Sequence, residues 1–158
     1  MAESGYTLKV RAMIREIRAT EMEAMLELYR DLHESDEPIA DWKGLEAVWS
    51  AIIEDPKIRY FVVEKGSAVV SGCHLVIVPN LTRGGKPYGM IENVVTKKDC
   101  RHQGLARQVL EYALKYAWEA GCYKVMLMTG RQDSAVFQLY ESVGFNGEAK
   151  RAFLAKPE

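Results

Sequence analysis

Three things are scarce in this 158-residue sequence, and each scarcity removes a class of protein. The first is charge of one sign. Twenty-one Lys and Arg against 22 Asp and Glu leave a net charge of −1, without the basic excess that a broad nucleic-acid surface needs, so no nucleic-acid partner is expected. The second is a long apolar run: none reaches the roughly 18 residues of a membrane span, and no membrane partner is expected. The opening MAESGYTLKVRA also lacks the apolar centre of a secretory signal. The third is cysteine. Cys73, Cys100 and Cys122 are scattered and form no C-x-x-C pair, which argues against a disulfide framework and suits reduced thiols in a cytoplasm. The three histidines, His33, His74 and His102, lack ligand spacing, so no metal is expected.

What is present is an ordinary globular composition, 48% apolar and 27% charged, in a length that suits one domain with a real core. Residues 13–158 read as that domain. Residues 1–12 read either as an extension or as a lengthened first strand. From Met13 to Ala19 apolar and charged residues alternate, as in a half-buried strand. Thr20 then stands as a candidate N-cap for a helix over Glu21–His33. An acidic connection, Glu34–Asp41, leads to a second helix over Trp42–Ile53, which Pro56 closes. Arg59–Glu64 and Ala68–Val78 flank Lys65-Gly66-Ser67 and read as an antiparallel hairpin. Pro79–Pro87 turns the chain into a strand over Tyr88–Thr96; its Gly84-Gly85-Lys86 lacks the spacing of a phosphate-binding P-loop.

The informative stretch runs from Met90 to Ala120. It is a strand, a basic loop, a small-residue turn and a long amphipathic helix. The turn reads Arg101-His102-Gln103-Gly104-Leu105-Ala106. Backbone N–H groups at a helix mouth lack partners and sit at the positive end of the helix dipole, so this is a candidate anion cradle. Gly104 and Ala106 leave the backbone approachable, and Arg101 adds a fixed charge. In the helix, Ala106, Val109, Leu110, Ala113, Ala117 and Ala120 suggest an apolar stripe. Glu111 and Lys115 suggest an i,i+4 pair, and Gly121 the stop. A nearly continuous apolar strand follows at Tyr123–Met128. Ser134–Val143 reads as a helix and Phe145–Leu154 as a last strand.

The R-x-x-G-x-A turn between strand and helix is followed, at about the expected distance, by Ala135-Val136-Phe137-Gln138-Leu139-Tyr140-Glu141-Ser142-Val143-Gly144-Phe145. Together the two motifs resemble the GNAT superfamily of acyl-CoA-dependent N-acyltransferases, over about Met13–Leu154. The resemblance implies an α/β (α+β) fold. It would have a mixed, mostly antiparallel sheet of six or seven strands and about four helices, splayed between strands 88–96 and 123–128. It further implies acetyl-CoA as co-substrate, with its pyrophosphate on Arg101, His102, Gln103, Gly104, Leu105 and Ala106. Its pantetheine arm would lie along the backbone of Val94, Val95 and Thr96. Tyr29, His33, Trp42 and Trp49, on helices that flank the acceptor cleft in such proteins, become candidate wall residues, with core packing as the alternative. Homodimerisation is implied by analogy alone.

Acyl transfer from a thioester to an amine requires a base for the ammonium and an acid for the departing thiolate. Glu92, a carboxylate inside the apolar run MIENVV, is the candidate base; an anchoring or structural role is the alternative. Asn93 is a candidate for orienting substrate. Tyr140 matches the family tyrosine that reaches the thioester sulfur, and its ordinary pKa of about 10 suits proton transfer to a thiolate; packing beside Phe137 and Phe145 is the alternative. The expected activity is acetyl transfer to a primary amine, on a small molecule or a protein. A non-catalytic acyl-CoA sensor is the alternative from another class. A narrower similarity, through Glu92-Asn93-Val94-Val95 and Tyr123-Lys124, is to glucosamine-6-phosphate N-acetyltransferases. Those carry an acidic residue near the end of the following strand, where this chain has Met128 and Thr129.

Overall fold

Period-two alternation in the first half of the chain builds a sheet with two buried faces. A computed structural model describes residues 12–33, 35 and 37–157. Residues 1–11, and with them the choice between extension and longer first strand, lie outside the described residues apart from Ala12. The elements are β1 (Ala12–Glu16), α1 (Met22–Tyr29), α2 (Trp42–Glu54), β2 (Ile58–Lys65), β3 (Ala68–Val78) and β4 (Tyr88–Thr96), then α3 (Leu105–Glu119), β5 (Val125–Leu127) and α4 (Ser134–Ser142). The strands lie in one sheet in chain order. β1 to β4 pair antiparallel, whereas β5 pairs parallel to β4 after the α3 crossover.

On one face, Phe61, Val63, Cys73, Leu75 and Ile91 meet Val109, Leu110, Ala113 and Ala117 of α3. On the other, Tyr60, Val62, Val69 and Val95 meet Met25 and Leu28 of α1, with Trp49 and Ile52 of α2 packed behind. Odd-numbered β2 residues thus serve α3 and even-numbered ones serve α1, as the pleat requires. The apolar stripe of α3 differs slightly from expectation. Leu105 and Leu114 are buried in it while Ala120 is exposed beyond the helix end. Its ion pairs are Arg107–Glu111 at 2.8 Å and Lys115–Glu119 at 3.9 Å, not Glu111–Lys115. Gly121, at φ 80°, stops the helix: its N–H donates to Trp118 O and that of Cys122 to Ala117 O, both at 3.0 Å.

Two expectations fail. Thr20 caps nothing; a short 3-10 turn over Ala19–Glu21 precedes α1. Glu21 takes up the freed groups instead, accepting from Arg18 N at 2.8 Å and from Arg15 Nη1 and Nη2 at 2.8 and 2.7 Å. Among the described residues the sheet also has five strands, because Phe145–Leu154 does not form one. Asn146 closes a local turn, with its Oδ1 accepting from Glu148 N at 2.9 Å and its O from Ala149 N at 3.3 Å. The charged chain beyond it runs exposed, with Phe153 and Leu154 uncovered. Among the described residues, no helix is long and apolar enough to cross a membrane.

The Arg15 hydrogen bonds, helped by Arg18 N–H, hold the Glu21 carboxyl at about 2 against an ordinary 4.5. A lowered carboxyl pKa stabilises the fold above the ordinary value, and that stability is lost as pH falls towards 2. Glu21→Gln is expected to flatten the fall in melting temperature between pH 5 and pH 2, by on the order of 1 kcal/mol of stability. Thermal melts across that range check it; parallel curves for both proteins contradict it.

Candidate active site

The site begins where β4 and β5 part. Their parallel ladder holds Gly89 to Val125, Met90 to Met126 and Ile91 to Leu127, and then ends. Just beyond, β4 is bulged. Glu92 pairs with His74 and Val95 with Gly72, so Asn93 and Val94 together stand opposite Cys73. Asn93 adopts φ 52°, a left-handed conformation unusual for a residue with a side chain. The bulge turns β4 away from β5 and opens a cleft of about 780 Å³.

One wall is the β4 backbone. The N–H of Lys97 donates to Val70 O at 2.8 Å. Alternation therefore turns the backbone groups of Thr96, and of Val94 two residues earlier, away from β3 and towards the cleft. Those of Val95 turn to β3, and its carbonyl accepts from buried Ser71 Oγ at 2.9 Å. All three residues line the cleft; Val94 turns its backbone groups to it and Thr96 its N–H, the Thr96 carbonyl being taken by Arg101.

The floor is the mouth of α3. Gly104, at φ 73°, occupies the N-cap position, and no side chain caps the helix, so its first N–H groups are open to the cleft. A Cβ on Gly104 would meet nothing within 4 Å; conformation, not crowding, calls for glycine there. Arg101, His102, Leu105 and Ala106 line the same space. Arg101 also ties the cradle to its surroundings, with Nε donating to Thr96 O at 3.3 Å and Nη2 to Asp31 O at 3.2 Å. Gln103 does not line the cleft: its Oε1 accepts from Lys65 Nζ at 3.0 Å and its Nε2 donates to Asp99 O at 3.5 Å.

Glu92 and Tyr140 both line this cleft. Glu92 is half-buried and has no hydrogen-bond partner among the described residues. Tyr140 lies edge-on to Phe145 with ring centroids 6.3 Å apart and packs against the α3-side core. Burial pushes its hydroxyl above the ordinary tyrosine range, Arg131 opposes the shift, and the Glu92 charge adds to it. The Tyr140 hydroxyl therefore keeps its proton at neutral pH.

The expected acceptor residues divide between two cavities. Asn93 and His33 border the cleft, while Tyr29 and Trp42 line a neighbouring cavity of about 750 Å³ that also reaches His33. Trp49 is packed, its Nε1 donating to Ala19 O at 2.7 Å. The Tyr29 hydroxyl is buried beside those of Tyr60 and the Asn93 amide without closing a hydrogen bond of ordinary geometry. Sequence reasoning missed Arg131, which reaches the cleft from the loop after β5. The only signal was a single cation in the loop between β5 and α4. It also missed Asp31, whose Oδ2 accepts from Lys98 N at 3.0 Å and so closes α1 onto the cradle. No group of three or more His, Cys, Asp or Glu is placed to hold a metal among the described residues.

The chain is similar to several known proteins. It is 28% identical over 144 residues to the glucosamine 6-phosphate N-acetyltransferase of Trypanosoma brucei brucei, covering 87% of this chain and 91% of that one. A solved structure from Agrobacterium tumefaciens str. C58, described as a "putative acetyltransferase", superposes with a TM-score of 0.85. It is 40% identical and covers 92% of this chain and 99% of its own. The aminoglycoside N-acetyltransferase AAC(6')-Iy in complex with CoA shares the fold at a TM-score of 0.75 and 16% identity, covering 92% and 95%. The model of the acetyltransferase (GNAT) family matches residues 15–145, which include the β4 bulge, the cradle and Tyr140. With most of its length matched to that family, the chain is a GNAT acetyltransferase.

Proposed function

We propose that the protein transfers an acetyl group from acetyl-CoA to the primary amine of a small molecule by direct attack, with Glu92 as base and Tyr140 as acid. The observation that carries this reading is the parting of β4 from β5, which leaves a half-buried, unpartnered carboxylate and a protonated phenol on one cleft above an uncapped helix mouth.

The donor pyrophosphate would rest on the N–H groups opening α3, beside Arg101 and His102. Its pantetheine arm would hydrogen-bond to Val94 and Thr96, the two residues whose backbone groups face the cleft. An N–H at the bulge would polarise the thioester carbonyl. The Glu92 carboxylate takes one proton from the ammonium. The freed nitrogen lone pair attacks the thioester carbon and forms the C–N bond. As the carbonyl re-forms, the C–S bond breaks and its electron pair leaves on sulfur. The attacking nitrogen, positively charged once the C–N bond forms, gives up its second proton to solvent to leave the neutral amide. The sulfur receives the Tyr140 proton, and the tyrosinate is reprotonated from solvent. The scattered thiols fit a reducing compartment, and we take the cytoplasm as the place of action.

Within small amines, the Trypanosoma relative supports an amino sugar phosphate. Arg131 supplies a cation at the cleft for a phosphate. Met128 and Thr129, where the narrower pattern has an acidic residue, argue for a wider panel that includes unphosphorylated amino sugars and aminoglycosides.

Tyr140→Phe is expected to lower kcat about 100-fold or more, with little change in acetyl-CoA affinity. Glu92→Gln is expected to lower kcat similarly. Because burial raises the Tyr140 pKa, the phenol does not limit the basic side below its ordinary value of about 10. Thiol release with each amine of the panel, measured from pH 5 to pH 10, checks all three. Tight acetyl-CoA binding with no release on any amine would favour the non-catalytic sensor.

A further inference from the structure

Asn93 is held in a left-handed conformation, uncommon for a residue with a Cβ, in the middle of a strand. Such a backbone persists only where its surroundings enforce it. The surroundings here form a line of rings. Trp49, fixed by its bond to Ala19 O, meets the Tyr60 ring edge-on with centroids 5.6 Å apart. Tyr60 stacks on His74 at 5.0 Å and 29°. The Nδ1 of His74 faces the Asn93 Nδ2 at 3.5 Å. His74 is also the residue paired with Glu92 across the β3–β4 ladder, so the two side chains stand side by side on one face. The line therefore runs from α2, across β2 and β3, to the bulge. It reaches the bulge at Asn93, whose backbone is left-handed.

We propose that His74 is the positioning residue of the bulge: its Nδ1 accepts the Asn93 amide and holds Asn93 left-handed. It thereby sets the direction in which β4 leaves β5 and in which Glu92 and Val94 face the cleft. The geometry requires the neutral tautomer with the proton on Nε2, since an Nδ1–H would oppose the amide. Partial burial lowers the imidazole pKa and so favours the neutral ring. The link to activity rests on the cleft being the acetyl-CoA site; the link to the bulge does not.

The test separates holding the bulge from filling space. His74→Phe keeps a ring on Tyr60 but removes the acceptor, His74→Gln restores an acceptor, and Asn93→Gly adopts a positive φ without help. Amide exchange is read at Val95 and Lys97, which hydrogen-bond to β3 on the far side of the bulge. Exchange is expected to be about ten-fold faster in His74→Phe and to return towards wild type in His74→Gln. It should be no faster in the His74→Phe, Asn93→Gly pair than in Asn93→Gly alone. Calorimetric acetyl-CoA affinity is expected to follow the same pattern. Unchanged exchange in His74→Phe, or equal acceleration by His74→Phe with and without Asn93→Gly, would overturn the proposal. If His74→Phe does not fold, the imidazole nitrogen chemical shifts of the wild-type protein decide: an Nε2–H tautomer agrees and an Nδ1–H tautomer overturns it. Failure of the wild-type protein to bind acetyl-CoA would count against the proposed activity, while the exchange and tautomer results still judge the role of His74.

Discussion

The structure depends on one mismatch of register. A single extra residue in β4, opposite Cys73, ends a parallel ladder that would otherwise continue past Ile91 and Leu127. A sheet edge inside a domain leaves backbone donors and acceptors without partners, which costs stability unless something else binds them. Here the backbone groups of Val94 and the N–H of Thr96 face a cleft whose floor is another set of unpaired groups, the first N–H groups of α3. Two deficits of hydrogen bonding thus border one space. An extended ligand with amide groups at one end and phosphates at the other satisfies both.

The two faces of the sheet divide the labour. The α3 face is largely apolar, with buried Ser71 bonded to Thr96 as its polar exception, and it fixes the cradle relative to β4. The α1 face carries aromatic and polar groups, Tyr29, Tyr60 and His74, around the bulge. Polar groups so enclosed narrow the set of stable backbone paths more than apolar ones do, because each must find a partner. The strained Asn93 lies on this face, next to the carboxylate that the chemistry calls for.

The elements that read well in the sequence were those set by local pattern. β3 and β4 ran over Ala68–Val78 and Tyr88–Thr96 as alternation required, and the helix after Gly104 ended at Gly121 as its chemistry required. The cradle was legible because glycine, small residues and a cation sat between a strand and a helix. What was not legible depends on long-range register. Nothing local says that Asn93 is left-handed, that Gln103 is drawn off by Lys65, or that Val95 turns its backbone to β3 while its neighbours do not. Trp42 and Tyr29 were placed near the cleft by helix order, but they line the adjoining cavity. Phe145–Leu154 had the composition of a strand and no partner, and a strand without a partner does not form.

The central claim is that the gap between β4 and β5, not merely some surface of the protein, receives the acyl donor. Backbone amide chemical shifts recorded during an acetyl-CoA titration test it most directly. The account predicts saturable changes concentrated at Val94, Thr96 and residues 102–106, with Val95 changing less because its backbone is already paired to β3. Saturable changes centred on the α1–α2 cavity, or no change at β4 and the mouth of α3, would contradict it.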